Sequence, residues 1–117
     1  NGIKMVLASS ASMDTITWVF EKFDLNPYFL GKISGADLKE SKPNPEIFLK
    51  ASALANEPIE NCMVIEDSTN GILASHRAGI FCAAYKSEHS VLQDYSKANI
   101  VVDEFSELEV EKMAKYF

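Results

Sequence analysis

Apolar, strand-like runs alternate with helix-like patterns along this chain, and this alternation constrains its fold more than any other feature. Residues 3–8, 62–65 and 80–85 are almost continuously apolar instead of alternating apolar with polar side chains. Strands of that kind are buried on both faces, which is typical of a parallel sheet covered by helices. Apolar residues recur at helical spacing over residues 45–55. The pattern predicts an α/β fold with a parallel sheet and helices on both faces, in a single domain spanning residues 1–117.

Weaker patterns complete the expected set of elements. Apolar residues at helical spacing mark a first helix, with Ser12 as its candidate cap. Trp18, Phe20 and Phe23 on this helix are expected in the core or in a domain contact, since a helical stripe of aromatic side chains usually packs inward. The other expected elements are strands at 29–34 and 100–102, a helix from "STNG" to Gly79, a short helix at 87–98 and an acidic amphipathic helix at 105–116.

Composition excludes several classes of function. The net charge is −6 and Arg77 is the one arginine, so the chain lacks the basic patch that nucleic acid requires. No apolar run is long enough to cross a membrane. Cys62 and Cys82 stand singly in apolar runs and are expected as buried thiols, which favours the cytoplasm. His76 and His89 have no neighbours at metal-ligand spacing and are expected on the surface or on a helix face, not as ligands.

Lys42 is held ahead of a helix by the local sequence "ESKPNPEIF". Pro45 suits the first position of a helix, where its missing N–H costs nothing. Asn44 is a suitable N-cap, and Glu46 suits the positive end of the helix dipole. The pattern therefore predicts a rigidly placed ammonium group, which would suit a phosphate or a carboxylate. The alternative is that Lys42 is a solvated surface charge, as most lysines are.

Polar residues fall where the strands of a parallel sheet would end. Ser9 closes the first strand, Glu66 and Asp67 close the "CMVI" strand, and Lys42 precedes the helix leading into that strand. Ligands of such sheets bind beyond the carboxyl ends of the strands. A hydroxyl and a lysine can hold phosphate oxygens, and adjacent carboxylates can hold Mg²⁺. Structural alternatives are that Ser9 bonds to its own loop and that Asp67 caps the following helix, with Glu66 as a first-turn acid.

Three segments together resemble one family. "VLASSAS", "SKPNPEIF" and "VIEDSTNGI" resemble the second, third and fourth motifs of the haloacid dehalogenase-like phosphohydrolase superfamily, whose core is a Rossmann-like parallel sheet. They are most similar to the β-phosphoglucomutase and sugar-phosphate phosphatase branch. The resemblance implies that Ser9, with the backbone N–H of Ser10, and Lys42 hold the transferring phosphoryl group. It implies that Glu66 and Asp67 bind Mg²⁺.

The first motif of that superfamily is not found in the chain. No Asp-x-Asp sequence occurs among the 117 residues. The resemblance therefore implies a partial core domain that lacks the first strand, its nucleophilic aspartate and the cap domain, and that is inactive alone. Asn1 and Gly2 form a helix-stop signal directly before a strand, so we expect further sequence upstream. Without a central strand, two strand edges stay unpaired and are expected to pair with an upstream segment, a second chain or another copy.

The resemblance implies an Mg²⁺-dependent phosphatase or phosphomutase that acts on a small phosphorylated metabolite, most simply a sugar phosphate, through an aspartyl-phosphate. Residues 10–13 contain no lysine where β-phosphoglucomutases usually carry one, which favours phosphatase action. One alternative is a phosphate-sensing receiver domain, which has similar residues in a different chain order. Here the order is Ser9, Lys42, then Glu66 with Asp67, as in the phosphatase family. A non-catalytic binding fragment is the other alternative.

Overall fold

Five short parallel strands form the framework of the computed structural model, which describes residues 2–87 and 92–117. Each predicted strand is present, although the first begins later than the apolar run suggested. The strands are β1 (Val6–Ser9), β2 (Gly31–Ser34), β3 (Met63–Glu66), β4 (Phe81–Tyr85) and β5 (Ile100–Val102).

Local sequence signals set the bounds of the three long helices. Ser12 caps α1 by accepting a hydrogen bond from the Thr15 backbone N–H at 3.3 Å, as expected. Gly79 ends α3 in the left-handed conformation at φ 75°, which glycine adopts without strain. The helices are α1 (Met13–Lys22), α2 (Glu46–Ala55), α3 (Thr69–Ala78) and the short α4 (Val110–Met113).

The strands form two parallel sheets. One contains β1 and β2, and the other has the order β3, β4, β5. The parallel α/β class is therefore confirmed. Within residues 2–87 and 92–117, no backbone ladder joins the two sheets, so β1 and β3 each keep an unpaired edge.

A layer formed by α2 and α3 joins the two sheets. Helix α2 packs on β1 and β2, α3 packs on β3 and β4, and the two helices contact each other. Their shared core excludes water from both sheets at once, and such burial is the main driving force for folding. The core cluster consists of Ile47, Phe48, Val64, Ile72, Ala74, Ala78, Ile80, Cys82 and Ala84.

The helix predicted at 87–98 is wrong for residues 92–98, which form turns; residues 88–91 lie outside the described part of the chain. The Ser96 backbone N–H donates to Asp94 Oδ1 at 2.9 Å, and the Ala98 N–H donates to the Tyr95 carbonyl at 3.0 Å. These local bonds compete with helical ones, as aspartate and serine often do. The segment therefore remains irregular where it approaches α3.

The long acidic helix predicted at 105–116 is also wrong, because the segment breaks into three short pieces. Two 3₁₀ turns, Phe105–Leu108 and Ala114–Tyr116, flank α4. Glu109 has an extended backbone at ψ 144°, which interrupts helical hydrogen bonding. The acidic side chains of the segment are exposed, as expected for a solvated face.

The individual core predictions are confirmed in part. Phe20 is buried, whereas Trp18 and Phe23 are exposed. Cys82 is fully buried and Cys62 only partly, and both thiols are free.

The predicted surface position of His76 is confirmed in the last turn of α3, whereas His89 lies outside the described residues. The described helices include none whose length and apolar character would let it cross a bilayer.

Candidate active site

Lys42 is fixed by the turn that precedes α2. The Asn44 backbone N–H closes this turn on the Ser41 carbonyl at 3.0 Å, and the Lys42–Pro43 bond is cis. Asn44 Oδ1 accepts from the Glu46 N–H at 2.9 Å, although the N-cap position itself is occupied by Pro45. The side chain of Lys42 is 11% exposed, so it is not a solvated surface charge.

The Lys42 ammonium lies where the carboxyl ends of β1 and β3 approach each other. Its Nζ atom is 2.7 Å from Glu66 Oε2 and 3.4 Å from the Ala8 carbonyl oxygen. It also lies 5.1 Å from the centre of the Phe48 ring, within range of a cation–π contact. One side chain thus contacts the ends of two strands in separate sheets, and the rim expected from the sequence brings Lys42 and Glu66 together.

Glu66 is held by the start of α3 as well as by Lys42. Its Oε1 atom accepts from the Asp67 backbone N–H at 3.1 Å and from the Ser68 hydroxyl at 3.3 Å. A Cβ atom added to Gly71 would collide with the Glu66 carboxylate, so only glycine allows this approach. The sequence did not predict a role for Gly71, because its contact with Glu66 depends on how α3 packs against β3.

Asp67 is not the helix cap. Ser68 takes that position by accepting from the Gly71 backbone N–H at 3.1 Å, which leaves the Asp67 side chain exposed beside Glu66. The capping alternative for Asp67 is therefore wrong. The two acids supply carboxylate oxygens, which suit a hard cation such as Mg²⁺. Among the described residues there is no group of three or more His, Cys, Asp or Glu that could hold a metal ion, so these two acids alone do not make up a full set of metal ligands.

Ser9 and Ser10 begin the loop after β1. Ser9 Oγ accepts from the Ala11 backbone N–H at 3.1 Å, which confirms the loop bond considered as an alternative. Its hydroxyl proton is not used in that bond, since an accepting hydroxyl can still donate. Ser34 Oγ donates to the Ala11 carbonyl at 2.6 Å and so ties the loop to β2. Ser10 is exposed at the mouth of a cavity.

An open cavity of about 370 Å³ lies at this rim. Its polar lining presents one ammonium, hydroxyl groups and two amides, which suits an anionic, oxygen-rich ligand. Sequence reasoning did not identify Thr69, Asn70 or Gln93 here, and Gln93 lies in the segment wrongly predicted as helical. The lining residues are Ser10, Lys42, Ser68, Thr69, Asn70 and Gln93.

Comparison with known proteins finds one family. A protein-family model described as haloacid dehalogenase-like hydrolase matches residues 1–79. The chain is 29% identical to the 5-amino-6-(5-phospho-D-ribitylamino)uracil phosphatase, chloroplastic, of Arabidopsis thaliana over 117 residues, which cover 97% of this chain and 31% of that protein. The chain spans about a third of the length of these curated relatives.

Two solved structures share the fold. The β-phosphoglucomutase of Clostridium difficile is 31% identical, with a TM-score of 0.82, over 99% of this chain and 49% of that one. The CbbY protein of Rhodobacter sphaeroides, solved in complex with phosphate, is 25% identical, with a TM-score of 0.87, over 97% of this chain and 52% of that one. The match therefore covers nearly all of this chain and about half of each solved chain.

Proposed function

Because this chain belongs to the haloacid dehalogenase-like hydrolase family and is similar to β-phosphoglucomutase-like members, we propose that the whole protein is an Mg²⁺-dependent phosphatase or phosphomutase. Its substrate is a small phosphorylated metabolite, and a sugar phosphate is the class we favour. The similar proteins support this choice, since they include a phosphatase, a phosphoglucomutase and a protein solved with phosphate.

The position of Lys42 carries the proposal. Its ammonium lies at the rim of the cavity and is mostly withdrawn from water, so it would attract a phosphoryl oxygen more strongly than an exposed lysine. The Ser9 hydroxyl and the Ser10 backbone N–H would donate to the same group. Together these donors would neutralise the charge that develops on the phosphoryl oxygens during transfer.

Glu66 and Asp67 would hold the Mg²⁺ ion in part. Their oxygens have the right chemistry, and the remaining positions would be filled by water, by substrate or by groups outside this chain. When bound, the ion supplies positive charge beside the phosphoryl oxygens. Glu66 also positions Lys42 through their 2.7 Å contact, so the chain's own role is to hold and orient the phosphoryl group.

The nucleophile in this proposal is an aspartate of the whole protein outside the 117 residues, which contain no Asp-x-Asp motif. Its carboxylate oxygen would attack phosphorus while the bond to the leaving oxygen breaks, giving an aspartyl-phosphate. Water would then release inorganic phosphate, or a substrate hydroxyl would take up the phosphoryl group. The 117-residue chain alone would bind phosphate without turnover.

A strand from elsewhere would complete the sheet. The unpaired edges of β1 and β3 favour pairing with an upstream segment, a second chain or another copy. We also propose a cytoplasmic location, because two free cysteines suit a reducing compartment. Native mass spectrometry of the purified chain tests the pairing: a lone 13.0 kDa species at every concentration would contradict self-association and leave the other two pairings.

Titration of the chain with inorganic phosphate, followed by isothermal calorimetry, tests the function. Lys42→Met should weaken binding about tenfold or more, because a charge-assisted bond contributes about 1.5–3 kcal/mol. Lys50→Met is the matched control, since Lys50 is an exposed lysine on α2. Equal affinity in the two variants would contradict the assignment. Covalent uptake of phosphate from acetyl phosphate would favour the receiver-like alternative instead.

A further inference from the structure

Gln93 closes one side of the cavity by holding the first residue of α3. Its Oε1 atom accepts from the Thr69 backbone N–H at 2.6 Å and from the Thr69 hydroxyl at 2.8 Å. Thr69 Oγ1 in turn accepts from the Asp94 backbone N–H at 2.9 Å. Three hydrogen bonds therefore join the start of α3 to residues 93–94, which are 24 or more positions away in the chain.

These bonds fix which way the Gln93 amide faces. A backbone N–H can only donate, so the carbonyl end of the amide must face Thr69. The NH₂ group then lies at the other end, with two N–H donors. In the part of the chain that the structure describes, this NH₂ group makes no hydrogen bond, and Gln93 lines the cavity together with Lys42 and Ser10.

An oriented donor of this kind discriminates between ligands. If a ligand covers the amide without supplying an acceptor, the NH₂ group loses water and gains nothing, which costs binding free energy. A ligand with a hydroxyl or carbonyl oxygen at that point replaces the lost water. Sites built to hydrogen-bond an oxygen reject analogues that lack it more strongly than apolar pockets reject an added group.

We propose that Gln93 is a specificity-determining residue whose NH₂ group binds an oxygen in the part of the substrate beyond the transferring phosphoryl group. The substrate class is then a polyhydroxylated phosphate ester and not a simple alkyl phosphate. This inference rests on the proposed function, because Lys42 and the Ser9–Ser10 loop must hold the phosphoryl end. Gln93 takes no part in bond breaking and acts on selection alone.

The test compares three ligands on the 117-residue chain by isothermal titration calorimetry. Inorganic phosphate probes the phosphoryl site, ribose 5-phosphate carries hydroxyls, and n-pentyl phosphate has a similar length without them. Gln93→Met keeps the side-chain length and removes both amide groups. Thr69→Val removes the hydroxyl from the contact with Gln93 but leaves the NH₂ group, and so controls for a purely structural role.

Gln93→Met should weaken ribose 5-phosphate about two- to tenfold, the range for one neutral hydrogen bond, and leave inorganic phosphate unchanged. Thr69→Val should alter ribose 5-phosphate and pentyl phosphate equally. If Gln93→Met does not fold, Gln93→Glu keeps the acceptor for Thr69 and replaces the donor, and the ratio of the two ester affinities is then the readout.

Three results would overturn the inference. These are equal binding of the two esters by the wild-type chain, equal weakening of both esters by Gln93→Met, and a selective loss of ribose 5-phosphate binding in Thr69→Val. Each of these leaves the proposed function standing if inorganic phosphate still binds in a Lys42-dependent way. Failure of wild-type chain to bind inorganic phosphate would instead overturn the proposed function and this inference with it.

Discussion

Substituting Lys42 and Glu66, singly and together, should reveal a strong coupling between the two residues in the free energy of unfolding. The contact is 2.7 Å long and both side chains are 11% exposed, so it lies closer to a buried ion pair than to a surface one. Lys42→Met would leave the Glu66 carboxylate mostly out of water without its cation. It would also remove the contact with the Phe48 ring, which contributes about 0.5–1 kcal/mol.

The magnitude follows from these contacts. We expect Lys42→Met to lower the free energy of unfolding by about 2–4 kcal/mol, which combines a lost charge-assisted bond with the ring contact. Glu66→Gln should cost less, about 1–2 kcal/mol, because an amide can still accept hydrogen bonds. The double variant should cost less than the sum, with a coupling energy of about 1.5–3 kcal/mol.

Urea unfolding of the four proteins, followed by circular dichroism, measures the cycle. Lys50→Met provides the matched control, since the Lys50–Glu46 pair is 3.4 Å long and its lysine is 56% exposed. That pair should contribute no more than about 0.5 kcal/mol. A Lys42–Glu66 coupling as small as the control value would refute the view that this contact is shielded and structurally important.

Two further variants and one labelling experiment test other parts of the structure. Ser9→Ala should weaken inorganic phosphate binding several-fold in calorimetry and lower the urea midpoint only slightly, through the lost hydrogen bond from the Ala11 N–H; unchanged affinity would remove Ser9 from the phosphate site. Gly71→Ala should cost about 1–3 kcal/mol in urea unfolding because the new methyl group displaces the Glu66 carboxylate, and a neutral result would contradict that crowding. Burial raises the pKa of the Cys82 thiol from its ordinary value of 9.0 to about 11. The folded protein therefore holds the thiol proton more tightly than the unfolded chain does. The stability that this gives is fully present below pH 9 and is lost as the pH rises through 11. In native protein at pH 8 a thiol reagent should therefore label the partly exposed Cys62 first, and equal labelling rates would contradict the burial of Cys82.

Local signals predicted most of the fold. The cap at Ser12, the stop at Gly79 and the apolar runs of β3 and β4 each depend on residues within a few positions of one another. The rule that the ligand-binding ends of parallel strands lie at one rim also predicts that Lys42 lies near Glu66, and the two are in contact. Short-range chemistry and one topological rule were sufficient to predict these elements and the approach of Lys42 to Glu66.

The failures arise where distant groups replace local bonds. Helical spacing at 87–98 gave no sign that the Gln93 side chain would bond to Thr69 across the site. The constraint on Gly71 depends in the same way on a side chain from β3. Apolar spacing at 105–116 did not reveal the extended backbone at Glu109. Features of this kind depend on tertiary packing, which overrides the local helix propensity of a segment.

The division of the strands into two sheets bears on how the chain folds. Val6 pairs with Gly31 and Met63 pairs with Phe81, so each ladder closes inside its own strand–helix–strand unit. Pairing within a unit costs less loop-closure entropy than pairing between the two units would, because the paired strands are closer in the chain. The α2–α3 layer and the Lys42–Glu66 contact join the two units. The rim that would recognise a phosphate thus lies where the two strand–helix–strand units meet.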